Sequence, residues 1–169
     1  MKYKTYSKQD IASKKVALKP GNFIVTHGTS FIDVIIWIFT NSRWNHAALV
    51  VSTEGNIIEL QTKGIQRSTI KQYPANEFYL VDLEVSDEDR KQIVSYAEFM
   101  LKKHSQYGFL TIATIAFKIM THSRLVIKLD GTLICSEFVA KALAEGGVIW
   151  DKDTSLITPA DLYSRFVRE

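Results

Sequence analysis

Trp44-Asn45-His46-Ala47-Ala48-Leu49-Val50-Val51, then Glu54-Gly55-Asn56, then Ile57-Ile58-Glu59-Leu60-Gln61, reads as two strands joined by a tight turn. Apolar and β-branched runs on either side of a glycine-containing turn favour an antiparallel hairpin. Two polar side chains stand out in it. His46 opens the first strand and Glu59 interrupts the second, and both fall near the same end of the hairpin. The sequence leaves the register open by a residue or two, so either Glu59 or Gln61 can be the neighbour of His46.

Working outward, Phe23 to His27 reads as a short strand after the Pro20-Gly21 turn, and Ile65 to Ile70 and Phe78 to Leu83 read as further strands. An antiparallel sheet of four to five strands is expected. Helices are predicted around it. Ser86 with Asp89 has the spacing of a capping box for a helix reaching His104, with Ile93, Val94, Ala97, Met100 and Leu101 as its core stripe. Apolar helices are expected over Phe31 to Phe39 and Phe109 to Met120, both too short to cross a bilayer; burial is the favoured reading, and peripheral membrane contact, as an interfacial role against a lipid substrate, is the alternative. A helix from Leu133 to Glu145 ends at Gly146-Gly147, and Thr158-Pro159 opens a last one. The polar stretch from Ser7 to Lys15 reads as a short arm or exposed helix, with residues 1–19 as an N-terminal arm. The fold class expected is α+β, in a single domain.

Composition narrows the function classes. At 169 residues, 46% hydrophobic and 23% charged, the chain can bury a sizeable core. Its formal charge of +3 comes from cations scattered among acids, without the basic stripe that a nucleic-acid footprint needs. No nucleic-acid partner is expected, and oligomeric state is not legible. A lone cysteine rules out an intrachain disulfide, a CxxC redox pair and a cysteine-based zinc site. The histidines and carboxylates lack HExxH or comparable ligand spacing, so no metal and no other cofactor is expected. With no apolar leader in the first twenty residues, a cytoplasmic location is expected.

The cysteine itself, Cys135 in Ile134-Cys135-Ser136-Glu137-Phe138-Val139, falls at the start of its helix. A helix N-terminus directs unsatisfied N–H groups and the positive end of the macrodipole at its first turn, which favours thiolate. Core packing is the plainer role for a small apolar thiol. A base separates the two roles. Of four histidines, His104 ends a charged helix, His122 lies in a polar loop and His27 ends a strand; His46 opens an apolar strand where an imidazole gains little by burial alone. A carboxylate at Glu59 would hold that imidazole in one tautomer, with Gln61 as the alternative. Tyr107, in the loop before the cysteine helix, is a candidate to donate to an oxyanion beside the Cys135 main-chain N–H.

Together, Pro20-Gly21-Asn22-Phe23-Ile24, Gly28-Thr29-Ser30, Trp44 to Val50, Ile57-Ile58-Glu59, Gln106-Tyr107-Gly108-Phe109 and Ile134 to Val139 resemble the permuted papain-like NlpC/P60 superfamily, the YiiX/YaeF-like cysteine hydrolases. The likeness runs from about residue 20 to 165, in the permuted order histidine, polar residue, cysteine. It departs from the family at Gly108, where relatives often carry aspartate, and at Gly21-Asn22, where they usually carry Gly-Asp. The resemblance implies a circularly permuted papain-like fold, with the cysteine helix packed on an antiparallel sheet that supplies the histidine. It implies Cys135 as nucleophile, His46 as base and Glu59 as orienter, with Tyr107 and Ser136 in the substrate and oxyanion region. The expected reaction is cleavage of an amide or ester in a cell-wall peptide or acyl lipid through an acyl-thioester. A lipid acyltransferase and an inactive peptide- or acyl-binding module are the alternatives.

Overall fold

The computed structural model describes residues 2–13, 16–27, 41–61, 64–73, 78–104 and 134–167. The two apolar segments at 31–39 and 109–120, the Gly28-Thr29-Ser30 motif, Tyr107 and His122 lie outside them. The described strands are β1 (Tyr3–Ser7), β2 (Phe23–Thr26), β3 (His46–Val50), β4 (Asn56–Gln61), β5 (Gly64–Thr69) and β6 (Phe78–Leu83). The described helices are α1 (Lys8–Ala12), α2 (Asp87–His104), α3 (Cys135–Glu145) and α4 (Pro159–Phe166). The class is α+β, and the strands form one six-stranded sheet in the order β1-β6-β2-β3-β4-β5, antiparallel throughout.

Strand alternation sorts the core into two layers. Phe23, Val25, Ala47, Leu49, Ile58, Leu60, Val81 and Leu83 face α2, α3 and α4, meeting Ile93 and Ala97 of α2, Phe138, Val139, Ala142 and Leu143 of α3, and Leu162 and Phe166 of α4. Their neighbours Ile24, Ala48, Val50, Ile57, Phe78 and Leu80 form a second layer with Ile70 and Tyr73, closed by Tyr6, Ile11, Val16 and Leu18. Both faces of β2 and β3 are therefore buried, which is why these strands are apolar almost without interruption.

The N-terminal residues correct the expectation of an arm. Tyr3–Ser7 pair with Leu83 to Tyr79 of β6 as an edge strand, and Thr5 Oγ1 and Tyr3 Oη donate to the carbonyls of Phe166 and Arg165 at 2.6 and 2.9 Å. Lys8–Ala12 is helical, started by a Ser7/Asp10 capping box. This strand makes the sheet one wider than the four to five strands expected. Its exposed, lysine-bearing residues suit an edge, which is why they read as polar chain.

The N-terminal ends of α2 and α4 and the C-terminal end of α3 close as their sequences imply. Ser86 Oγ accepts from the Asp89 N–H at 3.1 Å and donates to its carboxylate at 2.7 Å, and Thr158 with Asp161 forms a capping box for α4. At the end of α3, Gly147 N–H donates to Ala144 and Val148 N–H to Leu143, each at 3.0 Å, with Gly147 at φ +82°. This is a Schellman closure, which calls for a left-handed residue at that position. Beside it, a Cβ on Gly146 would come within 2.5 Å of Ile93, so α2 and α3 approach closely through this glycine. Arg90 of α2 reaches the Pro20 and Leu83 carbonyls, Asn22 Oδ1 and Asp82, anchoring the Pro20-Gly21 turn from which β2 starts.

Candidate active site

The site begins where β3 begins. Trp44 stacks on Tyr163 of α4, with ring centroids 4.8 Å apart and planes at 15°, and meets Tyr79 of β6 edge-on at 5.2 Å. These contacts hold the chain just before Asn45. α3 packs across β3, and its N-cap, Ile134, has an extended backbone and no side-chain cap. Cys135 is therefore the first helical residue, in a turn whose N-cap residue supplies no capping side chain. Its thiol is 2% exposed and donates a long hydrogen bond to the Asn45 carbonyl, 3.9 Å away. The sulfur thus meets the main chain just before β3, one residue ahead of His46.

His46 pairs with Thr26 of β2. On the other side Ala48 faces Glu59, so Glu59 is the diagonal cross-strand neighbour of His46, and the register carried two residues further sets Gln61 opposite it. Diagonal pairs are within reach of long side chains. Of the two candidates the sequence left open, Glu59 makes the contact, His46 Nε2 to Oε2 at 2.8 Å, with the side chains 2% and 0% exposed. By alternation both lie on the layer shared with Ala48, Val50, Ile57 and Tyr73, whereas Cys135 belongs to the helix-side layer. Thiol and imidazole approach the start of β3 from its two faces.

A buried carboxylate needs partners, and Glu59 has four. His46 Nε2 and the Tyr73 hydroxyl share Oε2, while the Ser68 hydroxyl and Gln72 Nε2 (2.7 Å) donate to Oε1. Burial pushes the Glu59 carboxyl up, but the hydrogen bond and charge of His46, with the Ser68 and Tyr73 hydroxyls, outweigh it and pull the group down to about 2. Glu59 is thus ionised at any ordinary pH. An acceptor-only carboxylate requires Nε2 to carry its proton, which makes Nδ1 the basic nitrogen of the neutral ring.

The Ser136 hydroxyl, fully buried, donates to the Ile157 carbonyl at 2.6 Å, so this side chain ties α3 to the segment before α4. His27 Nδ1 lies 3.0 Å from the Arg43 carbonyl, outside the cluster. Tyr107 lies outside the described residues. Tyr73, Ser68 and Gln72 are the members that sequence reading missed. Ser68 carries a faint signal: Gln66 pairs with Glu59, so Ser68, two residues on, shares its face. Tyr73 and Gln72 have none, because a 3-10 turn over Ile70–Gln72 carries them back to the sheet.

Among the described residues, no group of three or more His, Cys, Asp and Glu is placed to hold a metal ion, and no helix is long and apolar enough to cross a membrane. No family model and no curated protein matches the chain.

Proposed function

We propose that this chain is a thiol hydrolase of the permuted papain-like, NlpC/P60-related kind, cleaving an amide or ester of a cell-wall peptide or acyl lipid. One observation carries the reading: a buried His46–Glu59 pair opens the strand whose preceding carbonyl touches the only cysteine, itself at a helix N-terminus.

This mechanism requires the two side chains to meet around the start of β3, where Nδ1 of His46 takes the Cys135 proton and the thiolate is favoured by the imidazolium and the α3 dipole. Sulfur then bonds to the substrate carbonyl carbon. The tetrahedral oxyanion accepts from the Cys135 main-chain N–H, and collapse breaks the bond to the leaving group, which takes the imidazolium proton. Water, deprotonated by His46, cleaves the thioester and restores the thiol. Glu59 stays ionised throughout and compensates the imidazolium charge.

The test is the rate of Cys135 alkylation against pH in the parent and in His46→Ala. A thiolate–imidazolium pair reacts well below the ordinary thiol pKa of about 8.5, and the variant loses that low-pH arm. An ordinary thiol profile in both proteins would overturn the hydrolase reading in favour of a binding module. A stable acyl adduct on Cys135, transferred to an amine in preference to water, would replace hydrolysis by acyl transfer.

A further inference from the structure

The geometry points to Tyr73 as a positioning residue for the His46 base, its buried hydroxyl holding the Glu59 oxygen that accepts the imidazole N–H, and Lys8 of the N-terminal helix holding Tyr73 in turn. The role rests on His46 being the base of the proposed hydrolase.

A carboxylate offers about four lone-pair positions, two on each oxygen. In Glu59 all four have donors, His46 and Tyr73 on one oxygen, Ser68 and Gln72 on the other. Two donors sharing Oε2 fix the direction in which it faces each of them. With His46 occupying one lone pair, Tyr73 is the group that keeps the carboxylate from turning the other toward the ring. Tyr73 is itself a permanent donor. Burial first, then the charge and hydrogen bond of Glu59, push its phenol well above the ordinary value despite the opposing pull of His46. The tyrosine and imidazole rings lie 6.1 Å apart.

Tyr73 has no strand to hold it, because it follows the 3-10 turn. Its anchor comes from α1, 65 positions earlier in the chain. Lys8 Nζ donates to the Tyr73 carbonyl at 2.5 Å and sits over the Phe78 ring at 5.6 Å, while Ile11, Val16 and Leu18 pack around the layer that contains Tyr73. The edge strand and helix at the N-terminus are thus mechanically connected to the base, through Lys8, Tyr73, Glu59 and His46. Among the described residues, Tyr73 is a titratable group bonded to the pair, Ser68 of β5 and Gln72 of the 3-10 turn add donors that do not titrate, the Lys8 cation of α1 reaches the Tyr73 carbonyl, and Cys135 of α3 lies beyond them at the start of β3.

Removing the hydroxyl leaves the carboxylate more basic, so Glu59 takes up a proton more readily and holds the imidazolium proton more tightly. Both midpoints therefore move to higher pH. In Tyr73→Phe, followed by 13C-carboxyl and 15N-imidazole NMR titration of the full chain, each midpoint is expected to rise by about one pH unit, the size of one hydrogen bond to a charged group. Should Tyr73→Phe fail to fold, Lys8→Met keeps the phenol, loosens its anchor, and is expected to move both midpoints the same way by less. Lower stability with both midpoints unmoved would overturn the role and leave Tyr73 as packing. The titration is read on resting protein, so it is independent of thiol reactivity. Shifted midpoints with an ordinary Cys135 profile would refute the hydrolase, and with it the role of Tyr73 toward a base. A low-pH alkylation arm with unmoved midpoints would refute the role of Tyr73 alone.

Discussion

Replacing Glu59 by glutamine substitutes a group of the same shape that can never ionise, and so imitates the protonated acid at every pH. The fall of the Glu59 carboxyl from its ordinary 4.5 to about 2, at about 1.4 kcal/mol per pH unit, corresponds to about 3 kcal/mol of stability at neutral pH, shared by the His46–Glu59 pair. The sign follows from proton binding. Between those two values the unfolded chain holds the proton and the folded chain does not, so this stability is complete above about pH 5 and is lost as pH falls through 2. Glu59→Gln is therefore expected to be less stable than the parent by about 3 kcal/mol at pH 7, with the gap narrowing to about 1 kcal/mol at pH 3. Urea unfolding followed by circular dichroism at pH 7, 5, 4 and 3 measures it. The amide also places N–H groups among four donors, and the ring best escapes the conflict by moving its own proton to Nδ1. Such a flip protonates Nδ1, the nitrogen that takes the thiol proton in the proposed mechanism, so the low-pH alkylation arm should vanish with the stability. A gap that stays constant from pH 7 to 3, or a glutamine variant as stable as the parent at pH 7, would refute the claim that the pair is held by the Glu59 charge.

Ser136→Ala is expected to cost about 1–2 kcal/mol in urea unfolding, because a buried carbonyl, Ile157, loses its donor; the alkylation rate of Cys135 should not change, as the hydroxyl faces away from the thiol's partner. Gly147→Ala should lower stability by about 1 kcal/mol for backbone conformation alone, since φ is +82° and an added Cβ meets nothing within 4 Å. An unchanged midpoint in denaturant would show that α3 does not depend on its Schellman closure.

How far the sequence could be read differs by element. β3, β4, β5 and β6 were legible because short β-branched runs between turn residues have few other uses, and the turn at Gly55 (φ +88°) is the local feature that joins β3 to β4. α2 and α4 were legible to their capping residues, Ser86 and Thr158, since capping is settled within three or four positions. β1 was not. Edge strands expose one face and one row of backbone groups, so their composition resembles that of an arm, and only pairing with β6 reveals the strand.

The site divides along the same line. By itself the sequence determined which residue types exist to do chemistry, one cysteine opening a helix, one histidine opening an apolar strand and one carboxylate on the strand beside it, because helix starts, strand composition and hairpin turns are local. Only the tertiary structure decided that Glu59 and not Gln61 meets His46, since the two share a face and the register sets Gln61 opposite the histidine, so the contact falls to the diagonal neighbour whose carboxylate also finds Tyr73, Ser68 and Gln72. It alone decided that Ser136 ties α3 to Ile157, and that Tyr73, 14 positions from Glu59, and Lys8, 65 positions from Tyr73, close the far side of the pair. Those contacts join segments with no periodic relation to one another, and they exist because a buried carboxylate must find donors wherever the folded chain brings them.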